Sequence, residues 1–121
     1  MLPREMQVSI DAAAAMRQIV GIMADHGWAG VTLDEAMRGE LLDARLLQSW
    51  SAEEWDRMKG EERMIELELE DAAMLLGGLS FTEMMSVDLP WIDLVRWSVD
   101  FIGAELRPLW TDEEWAMLAA G

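Results

Sequence analysis

The chain has one histidine and no cysteine, so its scope for chemistry is narrow. His26 is the only imidazole and so the only side chain of the usual acid–base type. It sits at the end of a helix-like segment, just before Gly27. There an imidazole bonds the free carbonyls and meets the negative end of the helix dipole. Neighbouring Asp25 projects from another side of that helix and does not make an acid–base pair with it. Zinc sites need clustered His and Cys. An EF-hand needs oxygen ligands at alternate positions, a central Gly and a closing Glu, and no segment fits. A di-iron carboxylate bundle needs Glu-x-x-His, whereas Met23 stands three residues before His26. The nucleophiles are hydroxyls, and Ser9, Thr32, Ser51, Ser80 and Thr111 read better as helix N-caps. There is no Gly-x-Ser-x-Gly elbow and no Gly-rich phosphate loop. The expectation is a protein with no enzymatic activity, no cofactor and no metal.

Charge is the other chemical resource. Among 121 residues, 24 Asp and Glu face 9 Lys and Arg, a formal net charge of −15. Such an imbalance repels itself in the compact state. It also disfavours direct contact with nucleic acid or anionic lipid, which requires clustered cations. The acids are densest between Glu53 and Asp71: Glu53, Glu54, Asp56, Glu61, Glu62, Glu66, Glu68, Glu70 and Asp71, against Arg57, Lys59 and Arg63. On one helix, Glu54, Glu61 and Glu68 would share a side at steps of about 10 Å. That face reads two ways. It is a solvated surface, or a row of carboxylates standing in for phosphates before a basic groove.

These groups need elements to hold them, and the clearest local signals are helix starts. Four capping boxes, Ser or Thr followed three residues later by Glu, occur as Thr32–Glu35, Ser51–Glu54, Ser80–Glu83 and Thr111–Glu114. Two lie in a short repeat. Residues 50–58 read Trp-Ser-Ala-Glu-Glu-Trp-Asp-Arg-Met, and 110–118 read Trp-Thr-Asp-Glu-Glu-Trp-Ala-Met-Leu. Trp50 and Trp110 precede their caps, while Trp55 and Trp115 fall at the fourth helical position, the pairing of a hydrophobic staple. The residues between the copies do not align convincingly as a longer duplication.

Periodicity predicts helices over 9–25, 33–47, 52–76, 81–87, 90–106 and 112–119. The longest, 52–76, carries the stripe Trp55, Met58, Glu62, Ile65, Leu69, Ala72 and Leu76 and is closed by Gly77-Gly78. Leu89-Pro90 breaks the chain before the next helix, and Pro108 ends that one. No alternation is long enough for a strand. The expected fold is all-α, a single domain over 1–121 built as a bundle of five to six helices with short connections. No apolar run approaches the roughly 20 residues of a membrane span, and 1–10 lacks the apolar region of a signal peptide. The expected location is cytoplasmic.

In size, charge, absent cysteine and helical content the chain resembles the small acidic proteins that phages use against host nucleases, the anti-CRISPR and DNA-mimic inhibitors. The likeness is one of class and carries no diagnostic motif. It implies a basic protein partner, a nucleic-acid-binding complex, without direct contact to nucleic acid or membrane. The expected contacts are Glu53, Glu54, Asp56, Glu61, Glu66, Glu68, Glu70 and Asp71, with Trp50 and Trp110 as anchors. The competing reading is an assembly or chaperone-type protein that holds its partner through Trp and Met. The stretch 79–97, with Trp91 and Trp97, loosely resembles small phage tail-assembly chaperones. The Met-rich stripes would equally suit pairing of two copies of the chain.

Overall fold

A computed structural model describes residues 3–28, 32–85 and 103–120. The chain is mostly helical, but it also contains a two-stranded antiparallel sheet, so the expectation of a purely helical bundle needs correction. The described elements run β1 (Arg4–Val8), α1 (Ile10–Asp25), α2 (Leu33–Gln48), α3 (Ala52–Arg57), β2 (Arg63–Leu67) and α4 (Leu69–Met85). A 3-10 turn (Arg107–Leu109) and α5 (Asp112–Ala120) follow. The expected helix over 90–106 lies outside the described residues as far as 102, as do Trp91 and Trp97. No described helix is long and apolar enough to cross a membrane.

The main correction concerns 52–76, which is not one helix. α3 ends after six residues at Met58, which takes the left-handed conformation (φ 51°, ψ 42°). The amides of Met58 and Lys59 close the helix on the Trp55 and Glu54 carbonyls. The chain then turns at Gly60, where a Cβ would stand 2.7 Å from Cδ1 of Trp50 and 2.6 Å from Oε2 of Glu54. β2 and α4 follow. Nor does Gly77-Gly78 end a helix. α4 continues through both glycines, and Ser80 donates its hydroxyl to the Leu76 carbonyl (3.3 Å) from within it instead of capping a new one.

With β2 placed, the described residues fall into two similar units: strand, long helix, further helical segment (α2 in the first, residues 103–109 in the second) and a short helix preceded by Trp. From 4 to 19 and from 63 to 78 the order of buried, half-buried and exposed positions agrees everywhere except at Asp11 and Glu70. From 43 to 57 and from 103 to 117 it agrees without exception. The strands pair Arg4 with Leu67 and Val8 with Arg63, so the ladder is symmetric about Met6 and Ile65, which occupy the same place in each unit. An interface in which each patch meets its own equivalent is that of a twofold dimer. Here both partners belong to one chain.

The core lies where the units meet. Met6, Val8, Ile65 and Leu67 face it from the sheet, with Met16, Ile19 and Met23 of α1, Leu42 and Leu46 of α2, Leu75 of α4, and Leu106. α1 crosses α4 closely at Gly78, where a Cβ would stand 2.6 Å from Cγ2 of Ile19. Ile19 and Gly78 are equivalent positions. Two large side chains there would collide at the pseudo-axis, and one unit supplies a glycine instead.

Candidate functional site

The two Trp-capped starts are built alike. Ser51 Oγ accepts from the Glu54 amide (3.1 Å) while a Glu54 carboxylate oxygen accepts from the Ser51 amide (2.9 Å). Thr111 and Glu114 repeat this at 3.1 and 3.0 Å. Trp50 packs edge-on against Trp55 with ring centres 5.5 Å apart, and Trp110 against Trp115 at 5.8 Å. In both units the second indole N–H donates to the carbonyl eight residues back, Leu47 or Arg107. Each box glutamate is then met by an arginine of the other unit: Glu54 by Arg63 (3.5 Å), Glu114 by Arg4 (2.9 Å). The Ser51 and Thr111 amides hold the two carboxyls below the ordinary glutamate value, and the arginines act in the same direction.

These residues are therefore structural in geometry. Trp50 and Trp110 are 4% and 3% exposed, members of the core and not surface anchors. Trp50 also donates its indole N–H to the Glu61 carbonyl (2.9 Å). His26 donates from Nδ1 to the Ile22 carbonyl (2.8 Å) at the end of α1, the position expected of a helix-terminating imidazole. Among the described residues no three Asp, Glu or His side chains converge to hold a metal ion.

The acids of 53–71 are not brought together on one face. Glu53, Glu54 and Asp56 stand on α3, Glu61 in the loop after it, Glu66 on β2, and Glu68, Glu70 and Asp71 at the start of α4. The repeat of Glu54, Glu61 and Glu68 thus has no common helix to make it regular. Asp71 is 3% exposed, the one buried Asp or Glu among the residues whose side chains are described. Its Oδ2 accepts from the Glu68 amide (2.9 Å). Its carboxylate pairs with Arg38 (3.3 Å) and Arg45 (3.5 Å), both from α2. Arg38 also reaches Glu68 (3.4 Å) and Glu70 (3.7 Å). Burial works against the Arg38 charge, but the hydrogen bond to Asp71 and the three carboxylates outweigh it and raise its pKa. Arg45 donates to the Glu66 carbonyl (2.8 Å).

This cluster forms the floor of an open groove of about 510 Å³ between α2 and the β2–α4 junction. Its α2 wall is Asp34, Met37, Arg38, Leu41 and Arg45, and Glu66, Glu68 and Asp71 form the other side. Met37 and Leu41 of this wall stand 53% and 66% exposed, and Leu33, one turn before Met37, 77%. In the sequence these three only contribute to the helical spacing of 33–47, which does not mark them as a surface. The available signal was the number of apolar residues on α2, more than one buried stripe needs.

No family model, curated protein or solved structure matches this chain.

Proposed function

We propose that the chain is a non-enzymatic binding protein whose partner is a basic protein of the nucleic-acid-handling kind, and that binding inhibits that partner. One observation carries this reading: apart from Asp71, the Asp and Glu of residues 5–70 and 105–114 all keep contact with solvent, so most of the negative charge lies on the surface. A surface of that sign speeds encounter with a cationic protein and repels nucleic acid and anionic membranes. In mode of action this is how phage anti-CRISPR and DNA-mimic inhibitors work in the cytoplasm, by occupying a surface that nucleic acid would otherwise use. The mimicry envisaged is one of net field, because the carboxylates of 53–71 do not form a regular row.

A second reading, an assembly or chaperone-type protein with an apolar docking surface, is favoured by the exposed Leu33, Met37 and Leu41. Its contacts would come from α2 and not from Trp50 or Trp110. Titration of the chain against lysine- and arginine-rich nucleic-acid-binding domains, from about 0.1 M to about 1 M salt, tests the first reading. Affinity should fall steeply across that range. Binding that holds unchanged at the top of it would point to the apolar alternative.

A further inference from the structure

We infer that the groove between α2 and the β2–α4 junction is the docking site for a basic amphipathic helix of the partner protein. The inference rests on the acidic-binder reading and locates it. Leu33, Met37 and Leu41 lie four residues apart on α2 and form an exposed ridge about 12 Å long. Rows at this spacing are what a second helix packs against.

The charge around the ridge complements a basic occupant. The groove lining holds Asp34, Glu66, Glu68 and Asp71 against Arg38 and Arg45, a formal charge of −2. The two guanidiniums are engaged by Glu68, Glu70 and Asp71 and by the Glu66 carbonyl, so they do not present free positive charge to an incoming cation. Asp34 and Glu66 at the rim pair with no described cation. Glu66 also sits directly opposite Glu5 in the ladder, both exposed. Like charges facing each other across a ladder destabilise it, and a lysine or arginine from the occupant would relieve them. An apolar ridge flanked by uncompensated carboxylates fits a helix with leucines on one face and lysines beside them. A second copy of this chain, carrying −15, fits poorly.

The test uses the intact chain and a labelled peptide of about 18 residues, long enough to hold a helix, with leucines four apart and lysines flanking them. Fluorescence anisotropy reads the affinity. Met37→Gln with Leu41→Gln should weaken binding at least about tenfold, with the unfolding midpoint retained because both side chains are exposed. Asp34→Asn with Glu66→Gln should weaken it at low salt and flatten its salt dependence, more than Glu53→Gln with Asp56→Asn on α3. Failure of the peptide to bind, or equal affinity for the Met37/Leu41 variant and the unaltered chain, overturns the groove assignment. If the peptide binds with the same salt dependence but is indifferent to those two residues, the acidic-binder reading survives while the site is wrong. Binding indifferent to salt removes both. A concentration-dependent dimer in sedimentation that Leu41→Gln dissolves would assign the ridge to self-association and end the proposal.

Discussion

Ser9 and Glu68 open the long helices of the two units at equivalent positions, and each start uses a different half of the same capping arrangement. In the first unit Ser9 Oγ accepts from the Ala12 amide (3.1 Å), and Ala12 has nothing to return. In the second, the residue equivalent to Ala12 is Asp71, whose carboxylate accepts from the Glu68 amide, while Glu68 offers no hydroxyl. The difference spreads outward. Asp71 is buried and draws Arg38 and Arg45 onto it from α2 of the other unit, and those arginines floor the groove. Ala12 draws nothing. Near-identical patterns of burial therefore support one unit that is plain scaffold at this point and one that carries a charged cleft. A pseudo-symmetric core does not require a symmetric surface: Asp71 stands where the first unit has Ala12, and Glu105 where it has Arg45, so the charged cleft forms on one side only.

The equivalence of the units is tested hardest by their tryptophans. Trp50→Ala and Trp110→Ala should each cost about 3–5 kcal/mol in urea-monitored unfolding, through the cavity and the lost edge contact with Trp55 or Trp115. Similar costs are expected. A Trp110 variant that unfolds almost like the unaltered chain would mean that the second copy is an appendage and not half of the core.

The difference between the units is next. Asp71→Ala should destabilise by about 2 kcal/mol, because it removes the acceptor of the Glu68 amide and the carboxylate that Arg45 pairs with, while Arg38 keeps Glu68 and Glu70. Ser9→Ala loses only a cap, about 1 kcal/mol. Equal costs would show that the Arg–Asp cluster adds nothing beyond capping. The third contrast lies within α4. Gly78→Ala should destabilise by about 1–3 kcal/mol by driving a Cβ against Ile19 and Met23. Gly77→Ala, one residue away with open space around its Cα, should stabilise by about 1 kcal/mol through helix propensity. If both stabilised, the close crossing of α1 and α4 at the pseudo-axis would be wrong.

The same residues explain what could be read from the sequence. Ser9, Thr32, Ser51 and Thr111 announce their helices because a cap is decided within four residues of chain. α1 and α2 accordingly lie within a residue of where periodicity puts them. β1 and β2 are decided by each other across 59 positions of sequence, and local pattern says little about such pairing. Ile65 and Leu69 also fit a helical stripe with Met58 and Ala72, so a five-residue strand disappeared into an apparent 25-residue helix. The overlooked clue was the alternation Met6, Val8, Ile10 against Ile65, Leu67, Leu69, each running into a helix. The groove was illegible for the same reason. Arg38 and Asp71 are 33 residues apart, and only the symmetric ladder brings α2 over the start of α4.

The smallest expected effect concerns the glutamates that both units share. Glu54 and Glu114 are held below their ordinary value of 4.5 by amide hydrogen bonds from Ser51 and Thr111, aided by Arg63 and Arg4. A carboxyl with a lowered folded-state pKa stabilises the fold fully above its unfolded value. That contribution is lost as pH falls from about 4.5 through the lower folded value. Acidification also removes the general repulsion of a chain at −15, which stabilises the compact state and masks the loss. The informative quantity is therefore the difference between the unaltered chain and Glu54→Gln with Glu114→Gln. Glutamine keeps an acceptor for the capping amide but has no proton to lose. The gap in unfolding free energy between the two should be constant from pH 7 to about 5.5 and shrink below about 4.5. The single variants separate the units, since Arg4 holds Glu114 at 2.9 Å and Arg63 holds Glu54 at 3.5 Å. A gap that stays constant down to pH 3 would mean that the boxes act only as neutral hydrogen-bond partners and that the reciprocal arginines contribute nothing to either.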